Sequence, residues 1–150
     1  MNSAQGRIVV GVDGSPSSRA ALAWAVRQAG FTGASVEAII AWQNPVTVAG
    51  VLLAPTGPLD NLDYGRWAAS ELNYTINQTV DPDGPVKVSA TVQEGNPAEV
   101  LLDAAVGAEL LVLGSRGHGG FREALLGSVG QSCAHHAQCP VVLVRGFEAG

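Results

Sequence analysis

Gly114, Gly117, Gly127 and Ser128 form a Gly-x2-Gly-x9-Gly-Ser pattern directly after the apolar run Leu110-Leu111-Val112-Leu113. A buried strand, a glycine-rich loop and a helix start, in that order, make a physical recipe for holding phosphate. Glycine lets backbone N–H groups approach an anion without a Cβ in the way. A helix start adds unpaired N–H donors at the positive end of its dipole. Ser115, Gly119, Gly120 and Val129 lie in or beside this loop, and Arg116, His118 and Arg122 are its side chains able to offset phosphate charge. A second segment, Gly11-Val12-Asp13-Gly14-Ser15, carries a carboxylate that can accept hydrogen bonds from ribose hydroxyls. Asp13 also suits an Asx turn that caps the next helix, and both readings stand at this point. Ser128 reads as a helix N-cap with or without phosphate.

Other chemistries fall away. A lysine-dependent phosphate loop is excluded, because the chain has a single lysine, Lys87, with no glycine loop before it. A GxGxxG fingerprint fails, since Arg122 stands where the third glycine should be. No GxSxG elbow and no HxGH signature of nucleotidyl transfer occur. Cys133 and Cys139 bracket His135 and His136, but the spacing fits none of the usual zinc patterns. The reading that competes with a metal site packs Cys133 on a helix and puts Cys139 at the entry to the last strand, with at least one histidine facing solvent. A disulfide is disfavoured in a reducing compartment.

The chain has 150 residues, the size of one domain, and is 47% apolar but only 5% aromatic. Net charge is −5, and the eight Lys and Arg form no basic stripe, which argues against nucleic acid as a partner. Met1 to Arg7 has neither a basic nor an apolar segment of a signal peptide. Residues 38–59 carry no charge, yet Pro45, Gly50, Pro55, Gly57 and Pro58 break the run, so a loop is expected there rather than a membrane span. The expectation is a soluble, cytoplasmic protein.

The elements that must position the glycine loop follow from periodicity. Arg7–Asp13 reads as a buried first strand. Ser15-Pro16 starts a helix through Ala20, Leu22, Trp24 and Val26 that ends near Gly30 and Gly33. Ser35–Trp42 is the second strand, and residues 43–59 a long loop. A helix over Asp60–Val80 turns Leu62, Trp67, Leu72 and Ile76 inward. Residues 81–85 are a turn, and Val86–Gln93 alternates as the third strand. Asn96-Pro97-Ala98-Glu99 caps a third helix that ends near Gly107. The fourth strand is Leu110–Leu113. Ser128-Val129-Gly130-Gln131 has capping-box spacing for a fourth helix, which Gly130 weakens. Pro140–Arg145 is the last strand. Alternating strands and helices predict a doubly wound α/β fold: a five-stranded parallel sheet, order 3-2-1-4-5, with helices on both faces. Ligands bind such sheets at the carboxyl ends of strands where the order reverses. Strands one and four meet there, so the 11–15 and 114–128 segments should face one crevice.

The combination of Gly114-x2-Gly117-x9-Gly127-Ser128, Val9-Val10-Gly11-Val12-Asp13-Gly14-Ser15, Gly95-x-Pro97 and Cys139-Pro140-Val141-Val142 resembles the universal stress protein family. The resemblance spans nearly the whole chain. It implies a Rossmann-like domain akin to the adenine nucleotide alpha hydrolases, and the subgroup that binds ATP. It further implies that Gly114, Gly117, Gly127 and Ser128 contact phosphates, that Asp13 sits by the ribose or a bound Mg or Mn ion, and that Ala41 lies near the adenine. A homodimer is expected through the last strand, Val141 to Arg145, whose apolar edge would otherwise be an association hazard.

Phosphoryl transfer needs charge neutralisation and a group to orient the nucleophile. The loop offers only the Glu123 carboxylate and no lysine, so the expectation is ATP binding with slow or no hydrolysis and a regulatory, stress-response role. The alternatives are a cyclic-nucleotide-binding relative, a nucleotidyl-transfer enzyme on the same architecture, and an interaction module whose loop holds nothing.

Overall fold

Four apolar runs and one alternating segment become five parallel strands around a central β1. In a computed structural model, which describes residues 6–43, 61–115 and 127–146, the strands are β1 (Arg7–Gly11), β2 (Ser35–Trp42), β3 (Val88–Glu94), β4 (Leu110–Gly114) and β5 (Val141–Val144). The helices are α1 (Pro16–Thr32), α2 (Asn61–Thr79), α3 (Pro97–Ala104) and α4 (Ser128–His136). Strand order is β3-β2-β1-β4-β5, as expected, with every neighbouring pair parallel. Most of the 43–59 loop and the segment Arg116, Gly117, His118, Gly119, Gly120, Arg122 and Glu123 lie outside the described residues. Among the described residues no helix is long and apolar enough to cross a membrane.

A strand buried on both faces must be apolar at successive positions, and β1 is. Ile8 and Val10 face a cluster with Ala21, Leu22, Ala25 and Ala29 of α1 and Ala68 and Leu72 of α2. Val9 faces the opposite cluster, with Leu101 of α3 and Cys133 of α4. The alanines of α1 leave little side chain between helix and sheet, so the helix packs closely against the strands.

The helix ends follow local chemistry. Ser15, in extended conformation, accepts a hydrogen bond from the Ser18 N–H, and Pro16 opens α1. Gly33 closes it with φ of 80°, a left-handed conformation that glycine adopts without Cβ strain, donating its N–H to the Ala29 carbonyl. Asn96 Oδ1 accepts from the Glu99 N–H at 3.1 Å, and Pro97 begins α3. Where α3 ends, the Arg7 guanidinium donates to the Ala104 and Val106 carbonyls while pairing with Glu37, so a cation meets the negative end of the helix.

Three expectations need correction. Trp67 does not point into the core: it is 54% exposed, while Ala68, Leu72 and Thr75 take the inward stripe. It lies one residue, about 100° of helix, off that stripe. The fourth helix begins differently too. Gly127, not Ser128, is its N-cap, because the Gly127 carbonyl accepts the first helical bond from the Gln131 N–H. Ser128 is thereby the first helical residue, and no side chain caps the helix. Lastly, β1 stops at Gly11 because the chain turns at Asp13, and β3 starts at Val88 and is mostly exposed. It is an edge strand, and α3 packs over β1 and β2 instead.

Close packing also fixes glycines. A Cβ on Gly146 would lie 2.5 Å from Ser17 Cα and 2.6 Å from its nitrogen, backbone atoms that cannot yield. A Cβ on Gly130 would meet only Leu143 Cδ2, at an ordinary 3.5 Å. Gly146→Ala should therefore destabilise the fold by about 1–3 kcal/mol. Gly130→Ala should stabilise it by up to about 1 kcal/mol through helix propensity. Urea unfolding of both variants checks this, and shifts of the same sign would contradict it.

Cys133 is fully buried in the second cluster, and burial, followed by the charge of Cys139, pushes its thiol up from 9.0 to about 11. The folded state thus holds the proton more tightly than the unfolded chain. The corresponding stability is complete below pH 9 and is lost as pH rises toward 11. In native protein at pH 8, a thiol reagent should modify the partly exposed Cys139 rapidly and Cys133 only on unfolding. Two equally fast thiols would contradict the packing.

Candidate functional site

Where strand order reverses, the chain leaves β1 and β4 in opposite directions, and a crevice opens between their carboxyl ends. Its volume is about 350 Å³. One wall is the turn after β1. Gly11, Val12 and Asp13 line it, and Asp13 Oδ1 accepts from the Ser15 N–H at 2.9 Å. The Asx-turn geometry that competes with a ligand role for Asp13 is therefore present, and Asp13 also lines the crevice. Ser18 contributes its hydroxyl, which donates to the Ser15 carbonyl and accepts from the Asp13 N–H.

The opposite wall is the end of β4 and the start of α4. Gly114, Gly127, Ser128, Val129 and Gly130 line it. The Gly127 N–H is already spent on the Ser115 carbonyl at 2.9 Å. Ser128, Val129 and Gly130 are the first three helical residues, so their N–H groups have no acceptor within the helix. These donors converge with the positive end of the α4 dipole. They are suited to an anion.

Gly114 has a second reason to be glycine. A Cβ there would lie 2.6 Å from the Ser17 carbonyl carbon and 2.8 Å from the Ser18 nitrogen. Close approach of α1 by itself requires the missing side chain. Ser115 does not line the crevice. It is buried, and its backbone bridges the Val144 carbonyl at 2.8 Å and the Gly127 N–H. Arg116, Gly117, His118, Gly119 and Gly120 lie outside the described residues.

The floor and far end are apolar. Ala41 lines this end with Ile39 and Ile40 of β2, Trp67 of α2, and Pro97 and Leu101 of α3. Sequence reasoning finds Ala41 but misses Trp67, which the inward reading of α2 assigns to the core. It also misses Pro97 as a lining residue, reading it as a helix starter and as part of the Gly95-x-Pro97 motif. The stripe Ala68-Leu72-Thr75-Ile76 is the signal available for the former. Among the described residues lining the crevice, Asp13 is the one ionisable group. His135 and His136 are both exposed at the last turn of α4, and no group of three His, Cys, Asp or Glu among the described residues is placed to hold a metal ion. The crevice offers an apolar slot at one end, backbone donors at the other and a carboxylate between. It can hold a ligand that is flat and apolar at one end and anionic at the other.

Known proteins share this framework. A universal stress protein of Mycolicibacterium smegmatis is 36% identical over 140 residues, covering 92% of this chain and 45% of its own length. The chain spans about half the length of the curated relatives it matches. Among solved structures, a universal stress protein in complex with cAMP is 25% identical, with a TM-score of 0.60 and coverage of 97% of this chain and all of that one. A universal stress protein of Archaeoglobus fulgidus in complex with dAMP is 21% identical, with a TM-score of 0.63 and coverage of 93% and 97%. The Universal stress protein family profile matches residues 5–145. The chain belongs to the universal stress protein family.

Proposed function

We propose that this chain is a nucleotide-dependent regulatory protein that binds ATP in the crevice between β1 and β4 and hydrolyses it slowly or not at all. The observation that carries this reading is the pairing, across one cavity, of an apolar slot at Ala41 with the uncapped start of α4. The adenine occupies the slot, the ribose hydroxyls donate to Asp13, and the phosphates take the N–H groups of Ser128, Val129 and Gly130. As the family motif implies, Gly117, Gly119 and Gly120 contact the phosphates, and Arg116 and His118 offset their charge. A Mg or Mn ion that accompanies the nucleotide finds its protein oxygen at Asp13. The cAMP and dAMP bound by two relatives support an adenine nucleotide as the class of ligand.

The roles of slot and helix start predict affinity. Calorimetry should detect ATP binding to the wild type, with cAMP and AMP titrated alongside to rank the phosphate requirement. Gly117→Val, which adds a side chain to the phosphate approach, should weaken ATP by about tenfold or more, the equivalent of about 1.4 kcal/mol. Equal affinity in both proteins would remove the loop from the site. Turnover should stay well below the ~1–100 s⁻¹ of kinases, because no lysine is available and Glu123 is the loop's one carboxylate.

The same reading extends to assembly. β5 is an edge strand whose four residues are all half-buried, and its outer edge pairs with nothing in the described chain. Two copies join along Val141 to Arg145, which satisfies that edge. Light scattering at micromolar concentration should give twice the monomer mass, and a clean monomer would contradict the pairing.

A further inference from the structure

Trp67 is a large apolar side chain left 54% exposed in a chain where aromatic residues are scarce. Its helix neighbours Ala68 and Leu72 are fully buried, so α2 is anchored on the sheet and holds Trp67 at the crevice rim. The anchoring matters, because a side chain on a fixed helix presents its ring without having to be ordered by the ligand. Trp67 reaches the crevice from the sheet face covered by α1 and α2, whereas Pro97 and Leu101 reach it from the face covered by α3 and α4. The two sets line one cavity together with Ala41. The alanine methyl contributes little contact area, so a flat ring against it takes most of its partner surface from the other lining residues. An indole offers one of the largest such surfaces, with a π-face that stacks on any base.

We propose that Trp67 is the base-recognition residue of this crevice: its indole stacks on the ring of the bound nucleotide and gives purines precedence over pyrimidines. This rests on the nucleotide-binding reading above and adds to it the residue that selects the ligand's ring. Stacking strength grows with ring area, so a two-ring base gains more from the indole than a one-ring base. Phosphate contacts at α4 are common to both classes and do not discriminate.

The test compares ATP with UTP, by calorimetry, on wild type, Trp67→Ala, Trp67→Leu and Trp67→Phe. Loss of the ring in Trp67→Ala should weaken ATP by about tenfold or more, and UTP less, so that the ATP-over-UTP preference shrinks. Trp67→Leu keeps apolar bulk without an aromatic face and should behave like the alanine variant, while Trp67→Phe should recover part of the preference. ATP should also quench the tryptophan emission of the wild type, and this quenching should disappear in Trp67→Phe. Equal losses for ATP and UTP in the leucine variant would mark a merely structural role and overturn the proposal. An unchanged ATP affinity would overturn it too, with the nucleotide reading intact. A wild type that binds neither nucleotide would instead overturn the nucleotide reading itself. If Trp67→Ala does not fold, the leucine and phenylalanine variants decide the same question.

Discussion

The backbone of Ser17 lies so close to Gly114 and Gly146 that no side chain fits between them, and the rest of the site depends on this contact. It presses the first turn of α1 onto the carboxyl ends of β4 and β5. The turn that precedes α1 is therefore held at the point where strand order reverses, and Asp13 has one place to go. Three serines complete the junction by hydrogen bonding among themselves and to the turn: Ser15 accepts from the Ser18 N–H, Ser18 donates back to the Ser15 carbonyl, and the Ser15 and Ser17 hydroxyls approach to 3.5 Å. A rigid wall on the β1 side is what makes an opposing helix start, α4, into the second wall of a cavity rather than an exposed end.

With that wall fixed, the electrostatics of the crevice become asymmetric. The described lining has a carboxylate and no cation, so its attraction for anions comes from backbone N–H groups and the α4 dipole. Leaving the helix without a side-chain cap is consistent with that. A capping serine or aspartate at residue 127 would consume a donor that glycine leaves available, and would put an oxygen where phosphate oxygens are expected. The same glycine makes the chain's entry into α4 less determined by local chemistry than the entries into α1 and α3.

That difference explains what is legible in the sequence. Ser15 with Pro16, and Asn96 with Pro97, announce helix starts through side-chain chemistry, and both starts fall where the residues indicate. The bounds of β2, Ser35–Trp42, follow from an apolar run between Gly33 and the polar Gln43. The strand order follows from alternation and handedness. At α4 the serine resembles a cap because serine usually is one, and only the Gln131 to Gly127 bond moves the start by a residue. Trp67 misleads for a related reason. Hydrophobicity assigns it inward, whereas helical phase, set by Ala68 and Leu72, turns it toward the rim. Small residues carry the phase, and small residues give weak signals.

Recognition built this way constrains few side chains. Glycines at close approaches, a helix start and a strand-end carboxylate can hold the phosphate and sugar of many nucleotides, because they act through backbone geometry rather than through matched side chains. The same fold persists in relatives only 21–25% identical. Discrimination among ligands must then come from the apolar end, where side chains rather than backbone meet the ligand. There β2 offers a methyl group, α3 a proline and a leucine, and α2 an indole. Of these the indole alone has a face whose interaction energy depends on what ring lies against it. The two ends of the crevice are thus suited to different parts of one ligand. On the proposed reading, the glycine and helix end holds the phosphorylated part, and the slot selects the ring.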